Sequence, residues 1–202
     1  MSRILGITGN IACGKTAVGK MLLELGAEKY IDADALVHRL YLSGQPIARE
    51  VERAFGAEVM AADGSVDRKA LGALVFGDEQ ALRRLEGIVH PAVGQAMLEE
   101  LATVSPAGIA VIDAVKLLEG GSAGLCQSKW LIVCPEDQEL ARLIARNGLS
   151  EEEARARVRA QPSVERRLPL VDEVIDNGGS LAETRRQVEA AFQRFRARFP
   201  PS

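Results

Sequence analysis

Aromatic residues are scarce in this chain. One Trp, two Tyr and five Phe make up 4% of it, so few rings are on hand to stack on a nucleobase, and aliphatic side chains or arginines would have to sandwich one. Cysteine is also sparse. Cys13, Cys126 and Cys134 are odd in number and widely spaced, which excludes a disulfide framework and a Cys-x-x-Cys metal pair. Cys134, at the end of the apolar run WLIVC, reads as a small core residue. No run of 18 apolar residues suggests a membrane span, and Met1 to Leu5 does not read as a signal peptide. The expectation is a reduced, cytoplasmic protein with no membrane association and no obligate protein partner. The excess of acidic over basic residues is small, leaving a net charge of −3, so the chain as a whole has no electrostatic reason to hold nucleic acid. Any anion site must be local.

What is present is ordinary for a globular protein: 47% hydrophobic and 26% charged residues. A length of 202 residues suits one α/β domain with an insertion, or two small domains. Short apolar segments at Ile4 to Thr8, Lys29 to Ile31, Ile109 to Ile112 and Trp130 to Val133 read as strands. Most are continuous rather than alternating, as in a sheet covered on both faces. Val174 to Asp176 adds a fifth. Between them lie helical patterns: Thr16 to Leu25 before Gly26, Glu136 to Asn147 before Gly148, a helix opened by the capping box Ser150/Glu153, and Leu181 to Phe195. Residues 66 to 102 are mostly helical in pattern, with a break expected at His90-Pro91. This alternation predicts an α/β fold with a mostly parallel sheet. The expected organisation is a core formed by 1–36 and 108–202, interrupted by a helical insertion over 37–107.

The most informative stretch is ILGITGNIACGKT, residues 4 to 16. A buried strand gains nothing from glycine, so three glycines imply that something needs the backbone close. Gly9-Asn10-Ile11-Ala12-Cys13-Gly14-Lys15-Thr16 fits G-x-x-x-x-G-K-[ST], following a strand and opening a helix. Gly9 and Gly14 allow backbone angles that turn successive N–H groups toward phosphate oxygens, and the helix start adds its positive end. Residues Gly9 through Ala17 are thus the expected nucleotide-phosphate contacts. Lys15 reaches the β- and γ-phosphates of a nucleoside triphosphate, and the Thr16 hydroxyl ligates Mg²⁺.

An acceptor for the phosphoryl group needs a carboxylate nearby. Asp32 and Asp34 close the second predicted strand, whose carboxyl end opens on the same crevice as the loop. Asp34 is a candidate general base, with helix capping as its other reading, and Asp32 would orient substrate or metal. Arginines crowd the later chain, at 142, 146, 155, 157, 159, 166 and 167. Arg142 and Arg146 share a helix face and suit a lid over about 142–167 that covers transferring phosphate. The other reading of such a run is a solvated face paired with Glu151 to Glu153. Asp113, after IAVI, reads as a metal-organising acid or a turn residue. His90 has no neighbouring ligand set.

Together these residues resemble the dephospho-CoA kinase family over nearly the whole chain. The similarity runs through GITGNIACGKT, Asp32-Ala33-Asp34, GSVDRKALGALVF from Gly64 and LRRLEGIVHP ending at Pro91. It continues with RLIARNGLSEEEA from Arg142, Gln161, and DEVIDNGG from Asp172. The family's D-x-P-L-L-[FY]-E matches Asp113 to Glu119 at its ends but not at its proline, first leucine or aromatic. The resemblance implies a P-loop NTPase-type three-layer fold with a helical substrate-binding insertion and a small helical lid. It implies transfer of the γ-phosphoryl of ATP, with Mg²⁺, to the ribose 3′-hydroxyl of dephospho-CoA, the last step of coenzyme A synthesis. Asp34 would be the base. Lys15 and Arg142 would serve catalysis, with Arg142 and Arg146 on the ATP phosphates, and Asp32, Asp34, His90 and Asp113 on the acceptor side. Two alternatives remain at this point. Shikimate-type and nucleoside monophosphate kinases share the loop, the former without the long DRKAL…HP insertion. A guanine-nucleotide switch would carry N-K-x-D, which this sequence lacks.

Overall fold

The computed structural model describes residues 2–201. Five strands form one sheet: β1 (Arg3–Gly9), β2 (Lys29–Asp32), β3 (Ile109–Asp113), β4 (Ser128–Val133) and β5 (Glu173–Asp176), in the order β2-β3-β1-β4-β5. The β1–β3, β1–β4 and β4–β5 pairs are parallel. Chain order turns at β1, whose neighbours are β3 and β4, so its carboxyl end opens at the switch point where α/β proteins hold their ligands.

One face of the sheet is packed by α1 (Lys15–Glu24) and α9 (Leu181–Arg198). Val18, Met21 and Leu22 of α1, with Val188, Phe192 and Phe195 of α9, meet Leu5, Ile7, Val111, Trp130 and Ile132 in one core. Alternation sends Leu5 and Ile7 to that face and Gly6 to the other. There Leu117 and Cys126, from the connection after β3, lie close: a methyl on Gly6 would sit 2.6 Å from Leu117 Cδ2 and 2.8 Å from Cys126 Sγ. Gly6 is thus a packing glycine, distinct in purpose from Gly9 and Gly14. Three further α-helices belong to this part: α6 (Glu136–Asn147), α7 (Glu151–Arg159) and α8 (Val164–Arg167). The Ser150/Glu153 capping box that opens α7 forms as expected.

The chain divides into two compact units, with Asp32–Ala102 separate from the stretches on either side of it. That unit contains α2 (Ala33–Leu40), α3 (Pro46–Phe55), α4 (Arg68–Val75) and α5 (Glu79–Ala102). Its own core is built from Tyr41, Val51, Phe55, Val59, Leu71, Val75 and Val89. Side-chain caps start α4 and α5: Asp67 accepts from Lys69 and Ala70 N–H at 2.9 and 3.1 Å, and Asp78 from Gln80 and Ala81 at 2.9 and 3.0 Å. The break expected at His90-Pro91 does not occur, and α5 runs through Pro91. Proline forfeits one intrahelical bond and crowds the carbonyl four residues back, at a cost of about 3 kcal/mol. Here that earlier residue is Gly87, whose surroundings are open, and the burial of Val89 with Leu85, Ile88 and Val93 around it favours continuity.

Candidate active site

The segment after β1 builds an anion cradle from its backbone. Gly9 has φ 155° and Gly14 φ 101°, and Ala12 is a non-glycine residue with positive φ, at 62°. A methyl at Gly9 would lie 2.7 Å from Cys13 Sγ and collide with the Ile132 carbonyl, and one at Gly14 would collide with Asn177 Nδ2. Only glycine fits either place. Gly14 caps α1 with no side-chain acceptor; the Ala17 N–H is taken by the Gly14 carbonyl at 2.9 Å, which leaves the Lys15 and Thr16 amides as the first-turn donors for a ligand. The Lys15 ammonium folds back on the loop, donating to the carbonyls of Gly9 at 3.1 Å and Asn10 at 3.3 Å. Cys13 is fully buried, and burial pushes its thiol up to about 11, which leaves it protonated at neutral pH.

Helices α6 and α7 close on this loop with a small apolar cluster of Leu140, Leu143, Ala154 and Val158, against which Ile11 and Ala12 pack. Along α6, Arg142 is half-buried. Its Nη2 donates to Gln138 Oε1 at 2.9 Å and to the Asn177 carbonyl at 3.2 Å. Its Nη1 is buried without a hydrogen-bond partner, 3.8 Å from where a Gly14 Cβ would stand. Arg146, one turn on, is exposed and donates to Asn147 Oδ1 at 2.9 Å. The two arginines that spacing places on one face therefore differ: Arg142 is brought to the loop, and Arg146 is turned along its own helix end.

Three residues to which sequence reasoning assigns no specific role also converge here. Asn177, just past β5, donates through Nδ2 to the Cys13 carbonyl at 2.8 Å and accepts from Thr184 Oγ1 at 2.9 Å. Glu139, 4% exposed, has its carboxyl pushed above the usual range by burial, against the opposing pull of the Asn10 amide, Lys15 and Arg142. Arg167 is 2% exposed, and donates from Nη1 to Asn10 Oδ1 at 3.1 Å and from Nη2 to the Val115 carbonyl at 3.3 Å. Asn177 falls in the DEVIDNGG match, which was the signal available for it. Nothing in the local pattern singles out Glu139, and Arg167 is one arginine among seven in its region.

Asp113 closes β3 and is nearly buried, with the Tyr30 hydroxyl donating to its Oδ2. In the other unit, the helix cap falls to Asp32, whose Oδ1 accepts from Ala35 N–H at 3.0 Å. This overturns the capping alternative for Asp34, which sits exposed in the first turn of α2. His90 is exposed on α5. Also there, Arg68 donates toward the His38 ring.

No group of three or more His, Cys, Asp or Glu among the described residues could hold a metal ion. That donor set does not suit a cation caged by protein alone. It does suit Mg²⁺, which keeps several waters and is shared between substrate phosphates and one or two protein oxygens. Thr16, exposed in the first turn of α1, carries such an oxygen.

A parallel-sheet switch point, a glycine-framed loop opening a helix and an arginine leaning over it define the class: a phosphoryl-transfer kinase of the P-loop type. Residues 3–183 match the family described as dephospho-CoA kinase, and the chain belongs to that family. A dephospho-CoA kinase from Symbiobacterium thermophilum is 46% identical over 193 residues, covering 95% of this chain and 80% of that protein. Among solved structures, TT1252 from Thermus thermophilus aligns with a TM-score of 0.82 and 35% identity, covering 96% of this chain and 97% of the other. Dephospho-CoA kinase from Campylobacter jejuni aligns with a TM-score of 0.61 and 27% identity, over 96% and 97% of the two chains.

Proposed function

We infer that this protein transfers the γ-phosphoryl group of ATP to the ribose 3′-hydroxyl of dephospho-CoA, giving coenzyme A and ADP. Beside the family membership, one observation carries the nucleotide half of this reading: a buried guanidinium nitrogen of Arg142 left without a partner beside Gly14, where the helix start has no side-chain cap. A buried donor without an acceptor is costly, and a phosphate oxygen would supply the acceptor.

The loop amides from Gly9 to Ala17 hold the β- and γ-phosphates. Lys15, held by the carbonyls of Gly9 and Asn10, turns its remaining N–H to phosphate oxygens, and Arg142 covers the charge that develops during transfer. Arg146 joins by releasing Asn147. Thr16 is the protein ligand offered to Mg²⁺, which when bound neutralises phosphate charge. Asp34 takes the proton of the attacking hydroxyl; its exposure, and the assignment of the cap to Asp32, leave its carboxylate available for that step. Asp32, His90 and Asp113 are assigned to the acceptor side, and the helical unit as a whole to acceptor binding, with α6 to α8 as the lid. The chain has no helix long and apolar enough to cross a membrane among its described residues. Free thiols and dependence on ATP agree with work in the cytoplasm.

The test is an ADP-release assay with MgATP and a panel of alcohols. Dephospho-CoA is expected to exceed shikimate and AMP by orders of magnitude, with the product carrying its new phosphate at the 3′ position by ³¹P NMR. Equal or absent turnover of dephospho-CoA overturns the reading.

A further inference from the structure

Arg167 holds one of the few charges buried in the protein, at 2% exposure. Its nearest carboxylate is Glu119, whose Oε1 stands 3.9 Å from Nε, an ion-pair distance and no hydrogen bond. Burying a guanidinium against so loose a partner is expensive, and an apolar side chain would fill the same volume at less cost. What the charge supplies is a pair of directed donors. One ends on Asn10 Oδ1, the other on the Val115 carbonyl in the connection after β3. Asn10 is the residue whose own carbonyl receives the Lys15 ammonium.

We propose that Arg167 is a positioning residue of the phosphate loop: by tying the Asn10 side chain to the segment after β3, it fixes the carbonyl that tethers Lys15 and so sets where that ammonium meets the nucleotide. The proposal rests on the kinase reading above only in taking ATP as the ligand. It divides the work of two arginines. Arg142 keeps an unpartnered nitrogen beside Gly14, whereas Arg167 places both Nη groups on protein oxygens, turns its unbonded Nε toward Glu119, and acts through Asn10. The neighbouring residues Ile11 and Ala12 are anchored separately, in the apolar cluster of α6 and α7, so Asn10 is the point at which polar contacts govern the loop.

The experiment is a double-mutant cycle on MgATP affinity, measured by titration calorimetry without acceptor, using Arg167→Met, Asn10→Ala and the pair. Loss of a charge-assisted hydrogen bond predicts about 10- to 100-fold weaker binding for Arg167→Met. The pair is expected to be no weaker than the worse single variant, because both changes break one connection. Arg167→Lys keeps the charge and one donor, and should recover part of the loss. Multiplicative losses in the pair, or a melting temperature that falls while MgATP affinity holds, would overturn the proposal. Should Arg167→Met fail to fold, the cycle is run with Arg167→Lys in its place. A wild-type protein that binds MgATP but ignores dephospho-CoA would strike the acceptor assignment alone and leave this cycle to decide Arg167.

Discussion

The Asn177 side chain donates a 2.8 Å hydrogen bond to the carbonyl of Cys13, joining the end of the last strand to the middle of the phosphate loop. Thr184 on α9 fixes the same amide from the other side, and the whole arrangement is buried. Asn177→Ala leaves the Cys13 carbonyl and the Thr184 hydroxyl without their partner. A stability loss of about 1–3 kcal/mol is expected, together with weaker ATP binding. Asn177→Asp should be worse, because it sets a carboxylate against a carbonyl. Thermal melts with and without MgATP check both.

Arg142 and Arg146 are equivalent by helical spacing and unequal in space. Arg142→Met should lower kcat/KM for ATP by about 10²-fold, the scale of one lost oxyanion-type donor. Arg146→Met should cost markedly less, since its guanidinium rests on Asn147. Steady-state kinetics on the two variants distinguish them, and equal losses would return both to the same role.

Glu139 makes stability depend on pH. Its carboxyl is held above the usual range, first by burial, so the folded state binds its proton more tightly than the unfolded chain does. The contribution of this group is therefore fully present below the ordinary glutamate value and is lost as pH rises through the higher folded value. Glu139→Gln removes that dependence. Plotted against pH from 4 upward, the difference in melting temperature between variant and wild type should shift in the variant's favour across this window. A constant difference would show that burial does not dominate.

Gly19 sets two effects against each other. Alanine in mid-helix gains about 1 kcal/mol over glycine. Here the new methyl would come within 2.6 Å of Tyr30 Cδ2 and 2.9 Å of its Cζ, and overpacking of this kind costs about 1–3 kcal/mol. The ring also carries the hydroxyl that serves Asp113. Gly19→Ala is expected to be net destabilised by denaturant titration, with reduced turnover from the displaced Tyr30–Asp113 bond.

Much of the fold was legible in short windows. The five strands and the helices beside them follow from apolar runs, glycine stops and capping boxes, all encoded within a few residues of where they act. The loop was legible because glycine, lysine and threonine at fixed spacing have few other uses after a strand. Pro91 misled because a proline's effect depends on what stands one turn back and on packing around it. Gly6 fell among the loop's glycines, yet it answers to Leu117 and Cys126 across the sheet face. The connections Asn10–Arg167 and Cys13–Asn177 join residues 157 and 164 positions apart. No periodicity reports a bond of that span.

The central place of β1 has a consequence for biosynthesis. Residues 3–9 pair with 109–113 on one edge and with 128–132 on the other, so β1 has no partner strand until some hundred further residues have been synthesised. Asp32–Ala102, by contrast, is a contiguous stretch with its own core. Asp32–Ala102 is therefore able to gather before β1 finds its partner strands, with the apolar run Ile4–Thr8 open to chaperones during that interval.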